Sequence, residues 1–233
     1  MRIDIKGDIV DDDWLEFYEW WGVPATAPKS VLAALNQAAE GEEIDVYINS
    51  PGGSVFAGAE IYSELRQRNV TVHITGLAAS AASVIACAGR RTLISPAGCM
   101  MIHNVQTRAE GDYRDMQKTA DTLKKVNQTI SAAYTEKTGK EEKELLRLMD
   151  AETWMPAAEC VAQGFCDGVE ERPKEKENKA SRPAAGFGTM LTDEQIERAR
   201  REIAAAKAKP AVDDEKKKAA AKLRLLNLRR TSK

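Results

Sequence analysis

The sequence has little that would place it in a membrane or outside a cell. None of its apolar runs reaches the roughly eighteen residues that a membrane-spanning helix needs, and its first residues contain no apolar core of a secretory signal. Its four cysteines lack the C-x-x-C spacing typical of a metal site, so we interpret them as small buried apolar residues. We therefore expect a cytoplasmic protein with no membrane partner, metal or disulfide framework.

Charge is unevenly distributed, although the formal net charge is only −2. From Pro173 to the end, the chain contains 17 Lys and Arg residues and 9 Asp and Glu residues. The residues before Pro173 contain 17 Lys and Arg and 27 Asp and Glu. The sequence thus predicts an acidic body and a basic tail. The tail shows no aromatic interleaving and no motif for reading a nucleic-acid groove, so nucleic acid is not favoured as its partner.

Composition divides the chain into three parts. Residues 1–170 carry the apolar periodicity of one folded domain, and residues 171–190 are predicted to form a flexible linker because they contain few apolar residues. Residues 191–233 are predicted to be a basic tail, helical or disordered, in which Thr192 begins a capping-box helix that runs to Ala206. The basic, leucine-containing segment 216–230 is expected either to bind an acidic or capsid partner or to remain a solvated tail.

Strands and helices alternate along the first part of the domain. Helices are predicted at 30–40, 55–68 and 80–88, strands at 44–48, 70–75, 92–95 and 100–103, and a sharp turn at 49–53. This order favours an α/β core with a parallel sheet built from βαβ units, in which functional residues gather where strands lead into helices. Ser80 lies at such a junction.

A long polar helix is predicted over residues 112–138. One of its faces carries an apolar stripe, and the other faces are charged. The stripe consists of Met116, Ala120, Leu123, Val126, Ile130 and Ala133. We expect this helix to be an arm that packs against a partner. Shorter helices are predicted at 140–149 and 156–163, the second ended by Gly164.

Ser80 and His103 are the candidate nucleophile and base. A serine hydroxyl is a weak nucleophile at neutral pH unless a positioned base takes its proton, and a neutral imidazole does this near pH 7. The backbone N–H groups of Gly53 and Ala81 are candidate donors to an oxyanion, provided that the Pro-Gly-Gly segment lies beside the serine.

The third member of such a triad is an acid that orients the imidazole. Asp150 and Glu152 are the candidates near the end of the domain, and the sequence pattern does not choose between them. The mechanism supplies its own base and oxyanion donors, so no metal or organic cofactor is expected.

Five blocks in register resemble the proteolytic subunit of the Clp protease family. They are 48–53 (INSPGG), 76–81 (GLAASA), 101–103 (MIH), 138–139 (TG) and 157–167 (AAECVAQGFCD). Two variant blocks, 55–58 (VFAG) and 149–154 (MDAETW), look most like the phage-encoded members described as head maturation proteases. The resemblance therefore suggests a phage or prophage origin.

The resemblance implies roles for particular residues. Ser80 matches the family's nucleophile, His103 its general base, and Gly53 and Ala81 its oxyanion-hole amides. The implied fold is a crotonase-like α/β spiral of βαβ units with a protruding handle helix over 112–139. A peptide substrate would lie extended beside Gly52 and Gly53.

Assembly and partners are also implied by the resemblance. The implied assembly is a homo-oligomeric ring, a heptamer or a stacked pair of rings, that encloses the active sites. Candidate partners are protein and peptide substrates, a Clp ATPase and phage capsid proteins. The start of the chain resembles neither the family's propeptide nor its axial loop, which does not favour docking to a Clp ATPase.

The acid is where the chain departs from the family pattern. Aligning Trp154 with the family's aromatic residue places Glu152 at the position of the catalytic aspartate, with one methylene more. Asp150 falls two residues earlier, at a position that the family uses in contacts between rings. Glu152 is favoured, Asp150 is the alternative, and the third alternative is that neither completes the triad.

The sequence as a whole predicts a Clp-like serine endopeptidase that acts through an acyl-enzyme, with phage head maturation as its role. The rivals are a capsid assembly or scaffold protein with a degenerate protease body, and a crotonase-type acyl-CoA enzyme, which needs no Ser–His pair. His73 is interpreted as structural. Trp20 and Trp21, next to Phe17 and Tyr18, are interpreted as a core or ring-interface cluster, with a partner groove as the alternative.

Overall fold

The computed structural model describes residues 1–39 and 41–171. The predicted linker beyond residue 171, the helix predicted from Thr192 and the basic segment 216–230 lie outside the described residues. No helix in the described ranges is long and apolar enough to cross a lipid bilayer.

The strands of the described residues belong to one sheet. They are β1 (Arg2–Ile9), β2 (Ala25–Thr26), β3 (Ile44–Gly53), β4 (Val70–Ala79), β5 (Arg91–Ile94), β6 (Cys99–Ile102), β7 (Thr153–Pro156) and β8 (Gly168–Val169). The main path runs β2-β1-β3-β4-β5-β8, and every pair along it is parallel. Off this path, β6 pairs in parallel with β4 and antiparallel with β7.

Helices connect most of these strands. They are α1 (Asp12–Trp21), α2 (Pro28–Leu35), α3 (Val55–Arg66), α4 (Ala81–Ala86), α5 (Tyr113–Thr138), α6 (Glu142–Asp150) and α7 (Ala157–Ala162). The predicted α/β class, with its parallel sheet of βαβ units and its long helix, is confirmed.

The core lies between the central strands and the helices that follow them. Val46, Ile48, Val72 and Ile74 alternate along β3 and β4 and are fully buried, as β-branched residues on one face of a covered sheet are expected to be. Every residue of α4 is buried, which agrees with the small-residue helix predicted there. The sequence pattern therefore located the centre of the domain correctly.

Several elements were not predicted. Strand β1 alternates buried Ile3 and Ile5 with exposed charged residues, so the period-two signal was present but not used. Strands β2 and β8 contain two residues each, and such short segments become strands only through pairing with a neighbour.

The start of α2 was predicted at Ser30 but lies at Pro28. Proline suits the first helical position because its fixed φ is helical and its missing N–H has no helical partner there. Ser30 is the third helical residue, and its hydroxyl accepts a hydrogen bond from the N–H of Ala27 at 3.3 Å.

Residues 49–53 are not the sharp turn predicted from their sequence. They continue β3, in which Gly52 and Gly53 pair with Asp8 and Ile9 of β1. The pairing register of β3 shifts once against β1 and once against β4 in this region. The glycines have φ values of +96° and +149°, which residues with a side chain rarely adopt, so the chain bends without leaving the sheet.

Helix α5 has the bounds predicted for the long polar helix to within one residue. Its buried residues, Ile130, Ser131, Ala133 and Tyr134, all lie near its C-terminal end. Met116 and Ala120, at the other end of the apolar stripe, are exposed in the single chain. The N-terminal half of the helix therefore offers an uncovered apolar surface.

The aromatic cluster on α1 is not part of the core, which corrects one of its predicted interpretations. Trp20 and Trp21 are 44% and 53% exposed. Helix α1 buries only Leu15, which packs with Val10 and Ala27 in a small separate cluster.

His73 lies on β4 between two carboxylates. Its Nδ1 is 2.6 Å from Glu170 and its Nε2 is 3.1 Å from Asp45, while its ring stacks on Tyr47 with centroids 4.5 Å apart. All of its polar atoms are engaged by neighbouring strands and by the residue after β8. These contacts join three parts of the domain.

The four cysteines are free, as far as residues 1–39 and 41–171 show. Cys87, Cys160 and Cys166 are buried as predicted, and Cys99 is only half-buried. Burial raises the pKa of the Cys87 thiol to about 12, so that it stays neutral.

Candidate active site

Strand β4 divides the sheet at the site. Its first half pairs with β5, through Thr71 to Ile74, and its second half pairs with β6, through Leu77 to Ala79. Because both β4 and β6 run in the same direction, the residues that follow them emerge side by side. This fork brings Ser80, which follows β4, next to His103, which follows β6.

Ser80 has an unusual backbone conformation. Its φ is +53° and its ψ is −125°, and it is the N-cap residue of α4. Its N–H donates to the carbonyl oxygen of Met101 at 2.9 Å, which ties it to β6. A non-glycine residue at positive φ costs on the order of 1–3 kcal/mol, and such strain is concentrated at functional sites.

The Ser80 and His103 side chains are in contact. His103 Nε2 lies 2.8 Å from Ser80 Oγ, and the imidazole is partly buried. This is the distance required for transfer of a proton from the hydroxyl to the ring. The structure therefore brings together the two residues that the sequence singled out as nucleophile and base.

The glycine segment lies directly against the serine. A Cβ placed on Gly52 would be 2.7 Å from Ser80 Cβ and 3.0 Å from the nitrogen of Ala81. One on Gly53 would be 2.0 Å from the carbonyl oxygen of Ile9. No side chain fits at either position, so only glycine lets this segment pass so close to Ser80 and to β1.

A pocket of about 370 Å³ opens at the serine and histidine. Its apolar wall contains Val55 and Val84 together with Ile130 of α5. Such a pocket suits a side chain or backbone of a polypeptide rather than a highly charged small molecule.

The two candidate acids do not contact the imidazole in the described residues. Glu152 accepts a hydrogen bond from Trp154 Nε1 at 3.3 Å, and Asp150 accepts one from Asn104 Nδ2 at 2.7 Å. His103 Nδ1 instead lies 3.4 Å from the side-chain amide nitrogen of Gln106.

The pairing of β6 with β7 nevertheless brings the backbone of Glu152 close to that of His103. Strand β7 pairs Thr153 with Ile102, so one further antiparallel step places Glu152 opposite His103. Glu152 also has a positive φ, +47°, and is the second of the two described non-glycine residues with this property.

Two polar residues behind the serine were not predicted. The Ser83 hydroxyl donates to the carbonyl oxygen of Ser80 at 2.6 Å and lies 2.7 Å from the hydroxyl of Tyr134. Burial raises the pKa of the Tyr134 phenol, so it stays neutral. The pair links the strained Ser80 backbone to α5.

Asn127 of α5 holds the segment that follows the histidine. Its amide oxygen accepts from the N–H of Val105 at 2.8 Å, and its amide nitrogen donates to Asn104 Oδ1 at 3.0 Å. Asn127 lies four residues after Leu123 and three before Ile130, so it is a polar residue on the apolar face of the helix. This break in the stripe was a signal that the sequence offered.

Replacement of Asn127 with alanine should lower kcat about 10- to 100-fold with little change in KM. The segment after His103 loses its anchor, and small displacements of a catalytic group have effects of this size. Asn127→Asp keeps the acceptor for Val105 but loses the donor to Asn104, so we expect an intermediate kcat. The measurement is steady-state peptide hydrolysis.

Gln128→Ala is the matched control, because Gln128 is the next residue of the same helix and is exposed. A fall in kcat as large for Gln128→Ala as for Asn127→Ala would contradict this positioning role. An unchanged kcat in Asn127→Ala would contradict it as well.

No group of three or more His, Cys, Asp and Glu residues in the described part of the chain is arranged to hold a metal ion.

Comparison with known proteins shows that the residues around the site are similar to a known protein family. The family model described as Clp protease matches residues 25–173. The ATP-dependent Clp protease proteolytic subunit of Bacteroides fragilis is 33% identical over 149 residues, which are 62% of this chain and 72% of that protein.

Two further relatives carry the same description. The protein of Porphyromonas gingivalis is 31% identical over 152 residues, covering 64% of this chain and 68% of its own length. That of Pleurastrum terricola is 33% identical over 144 residues, covering 60% and 74%. The segment matched by the family model contains Ser80 and His103 and begins after α1.

Proposed function

The chain belongs to the Clp protease family, and from that premise we propose that it is a serine endopeptidase that hydrolyses peptide bonds through an acyl-enzyme at Ser80. The observation that carries the proposal is the 2.8 Å contact between His103 Nε2 and Ser80 Oγ, at a serine held in a strained backbone conformation. An enzyme that stabilises an enolate, or a scaffold, would require neither feature.

The proposed reaction has two halves. His103 Nε2 accepts the hydroxyl proton as Ser80 Oγ bonds to the substrate carbonyl carbon, and it returns that proton to the amine when the peptide C–N bond breaks. Water, deprotonated by the same imidazole, then adds to the acyl-enzyme. The ester bond to Ser80 breaks, and the hydroxyl regains its proton.

The backbone N–H groups of Gly53 and Ala81 are the proposed donors to the oxyanion. This assignment is supported by the close approach of Gly52 to Ser80 and to the nitrogen of Ala81. Loss of one such donor typically costs about 3–4 kcal/mol of transition-state stabilisation.

Glu152 is the proposed acid, with Asp150 as the alternative. Glu152 is supported by the β6–β7 register and by its positive φ. In this role its carboxylate leaves Trp154 and accepts a hydrogen bond from the Nδ1–H of His103. Asp150 would have to release Asn104 instead.

The proposed substrate is an extended polypeptide, and the proposed assembly is a homo-oligomeric ring or a stacked pair of rings. The proposed peptide lies extended in the catalytic pocket beside Gly52 and Gly53, and the lining of that pocket by Pro51 and Gly53 supports this placement. The uncovered apolar surface of α5, with Met116 37% exposed, supports contact with another copy. Phage head maturation, with capsid proteins or a Clp ATPase as partners, is the proposed biological role.

The test is covalent labelling with a fluorophosphonate, read by intact mass at neutral pH. We expect one adduct per chain on the wild type and none on Ser80→Ala, because only an activated hydroxyl displaces the fluoride. Ser63→Ala, at an exposed serine of α3, is the control and should still react. An adduct on Ser80→Ala, or none on an assembled wild type, would overturn the proposal and favour a scaffold role.

A further inference from the structure

A second cleft, of about 630 Å³, lies next to the catalytic pocket. Pro51, Gly53 and Ser54 line both, so the two are separated only by the end of β3. The far wall of the second cleft is helix α1. A polypeptide that follows the glycine segment past Ser80 therefore reaches this wall.

The wall is aromatic. Trp14, Tyr18 and Trp21 face the cleft, and both tryptophans are 53% exposed. Aromatic residues are only 6% of the chain, so three in one wall is a concentrated use of them. Exposed indole and phenol faces bind apolar chains and, through their negative faces, cations.

The cleft is also acidic. Asp8 and Asp11 line it and no lysine or arginine does. Neither carboxylate forms an ion pair within residues 1–39 and 41–171. Asp11 accepts a hydrogen bond from Ser54 Oγ at 2.6 Å, which fixes it at the junction with the catalytic pocket.

The negative charge in the cleft affects the ionisation of Tyr18, which is part of the aromatic wall. Burial, together with the negative charge of Asp8 and a hydrogen bond to it, raises the pKa of the Tyr18 phenol. A cation placed between the rings and the carboxylates would be favoured by the same field.

We propose that this cleft is a substrate subsite for a lysine or arginine side chain near the scissile peptide bond. The aliphatic stem of the side chain lies across the aromatic wall, and its cationic head reaches Asp8 and Asp11. The inference rests on the proposed function, because the subsite is defined by the bond that Ser80 attacks. It adds a preference for basic residues in the substrate.

The wall lies outside the matched part of the chain. The family model begins its match at residue 25, whereas α1 ends at Trp21. The subsite is therefore assigned to this chain from its own residues and not to its relatives.

The first experiment compares matched peptides. The two peptides of a pair are identical except at one position, which is lysine in one peptide and norleucine in the other. Norleucine has the same aliphatic stem without the ammonium group, and the varied position is moved along both sides of the cleaved bond from pair to pair. At one position we expect kcat/KM of the wild type to be about tenfold higher for lysine, the effect of an ion pair or cation–π contact in a partly buried site. The ratio should fall to about two in Asp8→Asn, Asp11→Asn and Trp14→Ala.

Two matched variants of α1 serve as controls. Glu16→Gln removes a carboxylate and Trp20→Ala an exposed indole, and neither residue lines the cleft. Both should keep the tenfold ratio. Because the readout is a ratio within one variant, a general loss of activity does not mimic the effect.

The second experiment separates this inference from the proposed function. Ser80→Ala is titrated with the same peptides, and binding is followed by tryptophan fluorescence. The lysine peptide should bind about tenfold more tightly, and the difference should vanish when Trp14→Ala is added. This result is required whether or not the wild type hydrolyses peptides.

Equal binding of the lysine and norleucine peptides would overturn the proposed subsite. Equal kcat/KM for the two peptides would also overturn the subsite, but it would leave the proposed peptidase function intact. A change of oligomeric state in Trp14→Ala, without a change in the lysine ratio, would show that another copy covers the cleft. That outcome would also overturn the proposal.

Discussion

Replacement of His103 with alanine should lower kcat/KM for peptide hydrolysis by about 10⁴-fold or more. The imidazole is the only group in contact with Ser80 Oγ that can take its proton, among the residues that the structure describes. Loss of a base from a nucleophile–base pair has effects of this order because the pair acts as a unit. The measurement is hydrolysis of a fluorogenic peptide by the purified, assembled protein.

The other histidine provides a control with the opposite behaviour. His73→Ala breaks the contacts to Asp45 and Glu170 and should lower the free energy of unfolding by about 1–2 kcal/mol, while kcat of the folded protein stays unchanged. His103→Ala should leave the unfolding midpoint in urea nearly unchanged. A His103→Ala protein that hydrolyses peptides at more than about a hundredth of the wild-type rate would contradict its assignment as the base.

Replacement of Gly52 with alanine should abolish measurable activity and destabilise the domain by about 2–4 kcal/mol. The new Cβ would lie 2.6 Å from the carbonyl oxygen of Ala79 and 2.7 Å from Ser80 Cβ. The φ of +96° adds strain for any residue with a side chain. Relief of the clash has to move either the glycine segment or Ser80, and both belong to the proposed reaction site.

Gly139→Ala separates the clash from the backbone strain. Gly139 also has a positive φ, +69°, but a Cβ there would meet nothing within 4 Å. We expect a loss of about 1 kcal/mol and unchanged kcat. Unfolding midpoints and kcat of the two variants give the comparison, and equal effects in both would show that the close packing at Gly52 has no special role.

The centre of the domain was predictable because its patterns are local. The apolar runs of β3 and β4 and the periodicity of α3 and α5 reflect one buried face each, and that information is carried by neighbouring residues. The strand-to-helix junction at Ser80 follows from the same patterns. The ends of helices and strands were predicted less accurately. Helix α2, for example, begins at Pro28 and not at Ser30.

The surface position of the α1 aromatics and the extended form of residues 49–53 were not predictable in this way. Both depend on what lies beneath or beside the segment. Leu15 of α1 packs on Val10 and Ala27, and the glycine segment is held in the sheet by β1. Neither neighbour is close to these residues in the sequence.

The amino-acid sequence alone indicated the α/β class and the family and singled out Ser80 and His103 as candidates, because these are recorded in residue types and their local spacing. Tertiary structure alone decided that the two side chains meet. Ser80 and His103 approach to 2.8 Å because β4 divides between β5 and β6, and that division is a property of strand pairing. The aromatic and acidic cleft likewise exists only where the ends of β1 and β3 come together beneath α1, since a cleft is formed by distant segments that fold against one another.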